Sequence, residues 1–177
     1  MIGVLVSGRG TNLQALLDEG LPVAAVASNR DDAYALVRAR AAGVPVATFA
    51  LDCFASREER DLVMATWLEE RGVDLVVTAG YMHLLTRPFL DRFPERIVNV
   101  HPSLLPAFPG ARAIADALAA GVETTGVTVH LVDEGLDTGP VLAQERVPVE
   151  PRETLEERIH AVEHRLLPAV VREMMYA

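Results

Sequence analysis

The stretch Ile2–Leu17, I-G-V-L-V-S-G-R-G-T-N-L-Q-A-L-L, passes from a short apolar run through a glycine-rich loop into residues at helical spacing. Ile2–Val6 has the character of a buried strand in a parallel sheet, and Leu13, Leu16 and Leu17 recur at i, i+3 and i+4. Strand, loop and helix in this order open a βαβ crossover. Glycines in the loop let the backbone approach an anion, and the free amides of a helix start near Gly10, Thr11 and Asn12 favour phosphate. The dinucleotide fingerprint would need a glycine where Leu13 stands and an acid where the second strand ends in Ser28-Asn29-Arg30. The Walker pattern would need a lysine, which the loop lacks. The loop is therefore either a monophosphate site or a structural turn, and the first reading is preferred.

The same rhythm continues downstream. Val23–Ala27 is a second strand, and Asp32 is placed to cap a helix carrying Leu36 and Val37 that stops at Gly43. Val44–Phe49 is a third strand. Ser56-Arg57-Glu58-Glu59 is a capping box opening a long helix with Leu62, Val63, Trp67 and Leu68 as its apolar residues, closed by Gly72. Asp74–Thr78 and Arg96–Val100 supply the fourth and fifth strands. Alternation at this spacing predicts an α/β fold: a Rossmann-like, open, mostly parallel twisted sheet with helices on both faces. Ala113–Ala119 is a helix, and Thr125–Val132 with Val141–Val149 reads as a pair of antiparallel edge strands. The last helix opens on a second capping box, Thr154-Leu155-Glu156-Glu157, with a stripe of Leu155, Ile159, Val162, Leu166 and Val170; Pro168 is expected to end or bend it.

Chemistry concentrates after the fifth strand, in R-I-V-N-V-H-P-S-L-L-P, Arg96–Pro106. Period-two alternation aims Asn99 and His101 at one face near the strand's carboxyl end, where open α/β sheets bind ligands. An amide donor and an imidazole two residues apart can together serve a developing oxyanion. The alternative is a core asparagine with a satisfied histidine. The loop A-G-Y-M-H-L-L-T, Ala79–Thr86, carries Met82, Leu84 and Leu85 beyond a strand end; they either receive a flat ring or tuck under the helix that Thr86 caps. His130, among β-branched neighbours, is core or site. Of the acids in D-E-G-L-D-T-G-P, Asp133 and Glu134 read as turn residues, whereas glycine-flanked Asp137 is free to fold against another site. Glu163 falls inside the apolar stripe of the last helix, so it either snorkels or awaits a cation. Its segment H-A-V-E-H also matches an inverted zinc-protease pattern through His160 and His164, but the 13 residues that follow leave no room for the distant glutamate ligand such a site needs.

The chain has 177 residues, half of them apolar, which suits a single domain over residues 1–177. Acidic residues outnumber basic ones, 25 against 16, which argues against nucleic acid or an anionic membrane as a partner and leaves any phosphate site to be built locally. A single cysteine, Cys53, excludes an internal disulfide and reads as packing rather than as a nucleophile. With no apolar run long enough to span a bilayer and no leader, a cytoplasmic location is expected.

Taken together, S-G-R-G-T-N, A-G-Y-M-H-L-L-T, N-V-H-P-S-L-L-P and L-D-T-G-P resemble the phosphoribosylglycinamide formyltransferase family along nearly the whole chain. The resemblance implies an enzyme of purine synthesis that moves a formyl group from 10-formyltetrahydrofolate, the cosubstrate, to the amine of glycinamide ribonucleotide, with no metal, as a monomer or homodimer. It makes Asn99, His101 and Asp137 the catalytic trio and Gly10, Thr11 and Asn12 the phosphate loop. It gives Glu163 the substrate amine, and Arg57, Met82, His83, Leu84 and Leu85 the folate. Two positions depart from the pattern. Ala111-Arg112 follows the Pro109-Gly110 pair where many relatives carry a histidine or other polar residue, and His83 stands where some have arginine. Competing readings are a formyl-folate hydrolase or a transferase for another amine, against which the phosphate loop argues, and a nucleotide-sensing module, which would leave the polar groups without a task.

Overall fold

The computed structural model describes residues 1–177. Seven strands form one sheet in the order β3-β2-β1-β4-β5-β6-β7, with β1 Ile2–Val6, β2 Val23–Ser28, β3 Val46–Thr48, β4 Leu75–Thr78, β5 Ile97–His101, β6 Thr124–Leu131 and β7 Val141–Pro148. The first five are parallel; β6 runs antiparallel to β5, and β7 antiparallel to β6. Six helices surround it: α1 Thr11–Asp18, α2 Tyr34–Ala41, α3 Arg57–Glu69, α4 Arg87–Leu90, α5 Ala113–Ala120 and α6 Leu155–Tyr176. The expected fold class is the observed one. Only β7 of the antiparallel pair is an edge, because β6 is closed on both sides.

Alternation along the strands divides the core between two faces. Ile2, Val4 and Val6 meet Leu13 and Leu16 of α1, Leu36 of α2 and Ile159 of α6 on one side, whereas Leu5 meets Met64, Leu68 and Phe89 of α3 and α4 on the other. In β5, Val98 and Val100 belong to the first face and Ile97 to the second, so Asn99 and His101 follow Ile97 toward the α3–α4 side.

Several local expectations change. Asp32 does not cap α2; its carboxylate takes the Arg30 guanidinium at 2.9 Å, and the helix starts two residues later from Ala33. Ser56 does cap α3, accepting from Glu59 N–H at 3.1 Å, but the returning Glu59 carboxylate takes Ala55 N–H instead of Ser56. The buried face of α3 is only partly the expected one: Leu68 lies in the core and Trp67 packs against it, but Leu62 and Val63 are exposed, and Arg60 and Asp61 are buried beside Met64 and Ala65. Charged residues can take that face because they neutralise each other there. Thr86 precedes α4 without capping it and spends its hydroxyl on Asp61. Thr154 likewise leaves α6 uncapped, donating to the Pro151 carbonyl and accepting from Arg158. Pro168 does not end α6, which runs on through Tyr176 with Leu167 and Val171 buried on either side of it. Cys53 is exposed in a short turn and is not packing.

Candidate active site

Strand register builds the centre of the site. Thr78 of β4 is registered with Asn99 of β5, and Asn99 with His130 of β6, so three polar side chains stand in a row across the sheet. Thr78 Oγ1 donates to Asn99 Oδ1 at 2.8 Å. His130 Nδ1 lies 2.9 Å from the Leu131 carbonyl, which can only accept, so that nitrogen carries the proton. Nε2 of His130 then accepts from Asn99 Nδ2 at 3.1 Å. The amide is thereby fixed in orientation, with one of its two N–H groups spent and the other free for a ligand.

His101, next along the same face, is buried, with 5% of its surface exposed. Its Nε2 donates to the Phe108 carbonyl at 2.8 Å, which leaves Nδ1 as the nitrogen available for chemistry. Nδ1 faces Asp137 Oδ2 at 3.4 Å. The opposite carboxylate oxygen, Oδ1, lies 3.8 Å from His130 Nε2. Asp137 is held by Gly110 N–H, 2.8 Å from Oδ2, and adopts a left-handed backbone with φ 53°. Phe108 also has a positive φ, 50°. Such conformations cost about 1–2 kcal/mol for a residue with a side chain, and here both serve to aim a group at His101.

The loop after β5 is bound down by Thr128, the β6 residue registered with His101. Its hydroxyl donates to the Ser103 carbonyl at 2.7 Å and accepts from Leu105 N–H at 3.1 Å. Asp133 and Glu134 do other work: Asp133 closes its own turn on Gly135 N–H and Thr138 Oγ1, and Glu134 pairs with Arg87 on the surface.

These groups line one cavity of about 280 Å³ beyond the carboxyl ends of β4 and β5. Asn99, His101, His130 and Asp137 form its polar wall, and Tyr81, Met82, Leu84, Leu85 and Leu136 give it an apolar one. Met82 and Leu84 are exposed, whereas Leu85 turns into the core against α3 and α4, so the loop takes both of the alternatives open to it. His83 also lines the cavity, with its ring nitrogens toward Arg60 and Asn29. Burial, reinforced by the charges of Arg60 and Arg57, holds its pKa below the usual histidine value. Burial likewise pushes the Tyr81 phenol up to about 12. Arg57 is exposed at the first turn of α3, and Arg112 is exposed before α5.

A second polar cluster gathers at the start of α1. The first helical bond there runs from Gln14 N–H to the Gly10 carbonyl, so the amides of Thr11, Asn12 and Leu13 lie ahead of the ladder. Asn12 Nδ2 donates to Glu163 Oε2 at 3.3 Å, and His160 Nδ1 meets the same oxygen at 2.9 Å. Glu163 is buried, 4% exposed, and already hydrogen-bonded within the chain to His160 and Asn12. The Glu163 hydrogen bond is the largest cause of the raised His160 pKa. Glu163 and Asn12 do not line the cavity of the trio, so the two clusters are separate. The conformation of Gly10, φ 76°, is needed for a different reason than an anion: a Cβ there would lie 2.5 Å from Ala35 Cβ of α2. The His160 and His164 rings stack at 6.2 Å, and no three His, Cys, Asp or Glu side chains are grouped to hold a metal ion.

The sequence singled out Asn99, His101 and Asp137, and the fold brings them together. It left His130 open and missed Thr78, Thr128, the Phe108 carbonyl and the Gly110 amide, none of which carries a local signal.

Residues 1–171 match the family model described as Formyl transferase. The chain is 48% identical over 176 residues to the phosphoribosylglycinamide formyltransferase of Mycobacterium tuberculosis (strain ATCC 25618 / H37Rv), covering 95% of this chain and 81% of the relative. It is 41% identical to the enzyme of that name from Haemophilus influenzae, covering 97% and 85%. Among solved structures, glycinamide ribonucleotide transformylase 1 from Symbiobacterium toebii superposes with a TM-score of 0.93 at 50% identity, over 97% of this chain and 85% of that one. The chain therefore belongs to the formyl transferase family.

Proposed function

We propose that the protein transfers a formyl group from 10-formyltetrahydrofolate to the amine of glycinamide ribonucleotide, a step of purine biosynthesis. The observation that carries the reading is the convergence of the Asn99 amide, His101 Nδ1 and the Asp137 carboxylate on one cavity with an apolar wall. In this reading the flat pterin lies against Met82, Leu84 and Leu85, with His83 beside it and Arg57 near the folate's acidic tail. The ribotide phosphate rests on Gly10, Thr11 and Asn12, and Glu163, beside Asn12 and outside the cavity of the trio, binds the ribotide at that end rather than at its reacting amine.

The amine lone pair attacks the formyl carbon, and the carbonyl π electrons move to oxygen. The free N–H of Asn99 and the Nδ1–H of protonated His101 receive that oxyanion, a preorganised pair whose orientation costs nothing at the moment of reaction. Asp137 balances the imidazolium and takes the proton released by the attacking amine, through water, for delivery to N10 of the folate as the C–N bond breaks. The products are the formylated ribotide and tetrahydrofolate. The residues named supply all of these proton movements, and the reading includes no metal.

Incubation with 10-formyltetrahydrofolate and glycinamide ribonucleotide, beside glycinamide lacking the ribose phosphate, tests this. Tetrahydrofolate should form at a kcat/KM at least about 100-fold higher with the ribotide, since each charge-assisted phosphate bond adds about 1.5–3 kcal/mol. Equal rates with both amines, or release of formate with neither amine present, would contradict it.

A further inference from the structure

Arg60 sits in the first turn of α3 with none of its surface exposed, and Asp61 beside it is equally buried. A guanidinium in a core is costly unless its donors are used, and one ion pair does not use them. Nε donates to Asp61 Oδ1 at 2.7 Å, Nη1 reaches His83 Nδ1 at 3.1 Å and the Phe49 carbonyl at 3.5 Å, and Nη2 alone is without a partner. The second Asp61 oxygen accepts both Thr86 N–H, at 2.8 Å, and Thr86 Oγ1, at 2.7 Å. Thr86 and His83 belong to the segment between β4 and α4 that forms the apolar wall of the cavity. That segment has almost no backbone ladder of its own: Ala79 N–H reaches the Leu5 carbonyl, and Met82 N–H is taken by Ser7 Oγ at 2.9 Å. Ser7 is bonded at 2.5 Å to Asn29, whose amide lies 3.4 Å from His83 Nε2.

We propose that Arg60 is the positioning residue of the folate wall: through His83 and Asp61 it sets the backbone of Tyr81–Thr86. The inference rests on the folate reading given above and goes beyond it, since Arg60 touches neither substrate.

The chemistry of the contact gives the network a protonation requirement. A guanidinium only donates, so His83 must offer Nδ1 as an acceptor and carry its single proton on Nε2; Asn29 Nδ2, 3.4 Å from Nε2, is also a donor and takes no part in the tie. The charged and titratable groups facing His83 are Arg57, Arg60 and Asp61 from α3 and Tyr81 from its own loop; Asn29 from the end of β2 is uncharged. Burial and the two arginines favour the neutral ring, in the sense the contact needs. A second proton would place two cations at 3.1 Å and break the tie.

Steady-state kinetics with both substrates varied, on the intact enzyme, tests the proposal. His83→Leu removes the acceptor and should raise KM for the folate about tenfold, with kcat and the ribotide KM changed much less. Arg60→Lys keeps a cation for Asp61 but cannot serve two acceptors in one fork, and should do the same without leaving a buried charge unpaired. The double variant should be no worse than either single one, because both remove the same tie. His83→Gln keeps the acceptor without the titration; it should restore the folate KM and abolish the rise expected of the wild type as acid protonates His83, below the usual histidine range. A folate KM unchanged in His83→Leu and Arg60→Lys, or raised equally for both substrates, overturns the inference while leaving the folate reading intact. No turnover of 10-formyltetrahydrofolate by the wild type overturns the folate reading itself.

Discussion

Asp137 Oδ2 faces His101 Nδ1 at 3.4 Å while accepting from Gly110 N–H at 2.8 Å, and the far nitrogen of the same imidazole is committed to the Phe108 carbonyl. The carboxylate therefore meets the one ring nitrogen that can change its protonation during a reaction. Two residues with left-handed backbones, Asp137 and Phe108, flank the ring from opposite sides. Strain of this kind persists where the surroundings over-determine it, and it marks this corner as the working part of the cavity.

Asp137→Asn retains the hydrogen bond to Gly110 but removes the charge opposite Nδ1. Turnover should fall about 100-fold or more, with substrate affinities nearly unchanged, because a positioned proton-transfer group contributes about 100- to 10,000-fold. Single-turnover rates beside equilibrium binding of each substrate check this; a rate within a few-fold of wild type would demote Asp137 to a turn acid.

His130→Phe should slow the reaction without touching either substrate. It releases the amide of Asn99, which then rotates on its remaining bond to Thr78, and a displacement of about 1 Å in such a site can cost about 100-fold. Thr78→Val should act in the same direction on the other end of the amide. If the row works as a unit, the double variant loses less than the product of the single losses.

The limits of reading this site from sequence follow from those three residues. Asn99 and His101 were legible because alternation within one strand is local, and Asp137 because glycines on both sides exempt it from ordinary turn duty. Thr78 and His130 join Asn99 only through the register of β4 on β5 and β5 on β6, which no local pattern encodes. Order and bounds of the elements were legible to within a residue or two for most strands. The buried face of α3 was only half legible, since apolar spacing found Trp67 and Leu68 but also selected the exposed Leu62 and Val63 and passed over Arg60 and Asp61, whose charges pair in the core. The caps expected at Asp32 and Thr154 failed for a related reason: each side chain found a competing partner, Arg30 or Arg158, closer to hand.

Gly10→Ala should destabilise the fold whether or not phosphate binds. The added Cβ meets Ala35 at 2.5 Å and its Cα at 2.7 Å, and φ 76° is unfavourable for alanine, so a loss of about 2–4 kcal/mol is expected. Gly8→Ala, where nothing lies within 4 Å, should stay within about 0.5 kcal/mol. Denaturant midpoints of the two proteins decide between a packing role and a purely anion-binding one for Gly10.

His160 should make the stability of the protein depend on pH in a direction fixed by Glu163. The Glu163 hydrogen bond raises the folded-state pKa above 6.5. The resulting stabilisation is fully present below the unfolded value and is lost as pH rises through the folded one. His160→Ala should therefore lower Tm most near about pH 6 and progressively less toward about pH 9. Thermal melts of both proteins across that range check the sign; a difference that grows with pH would mean that Glu163 is not paired with an imidazolium.

The central claim is that Asn99 and His101 pass a formyl group to an amine rather than to water. Folate carrying a ¹³C-labelled formyl carbon, mixed with the enzyme and glycinamide ribonucleotide, reports the destination of that carbon by NMR. The label should appear as an amide on the ribotide nitrogen with the wild type, and in Asn99→Ala the same signal should grow about 100- to 1000-fold more slowly, the usual cost of one oxyanion donor. Label accumulating as free formate, or reaching the ribotide at an unaltered rate in Asn99→Ala, would contradict the account.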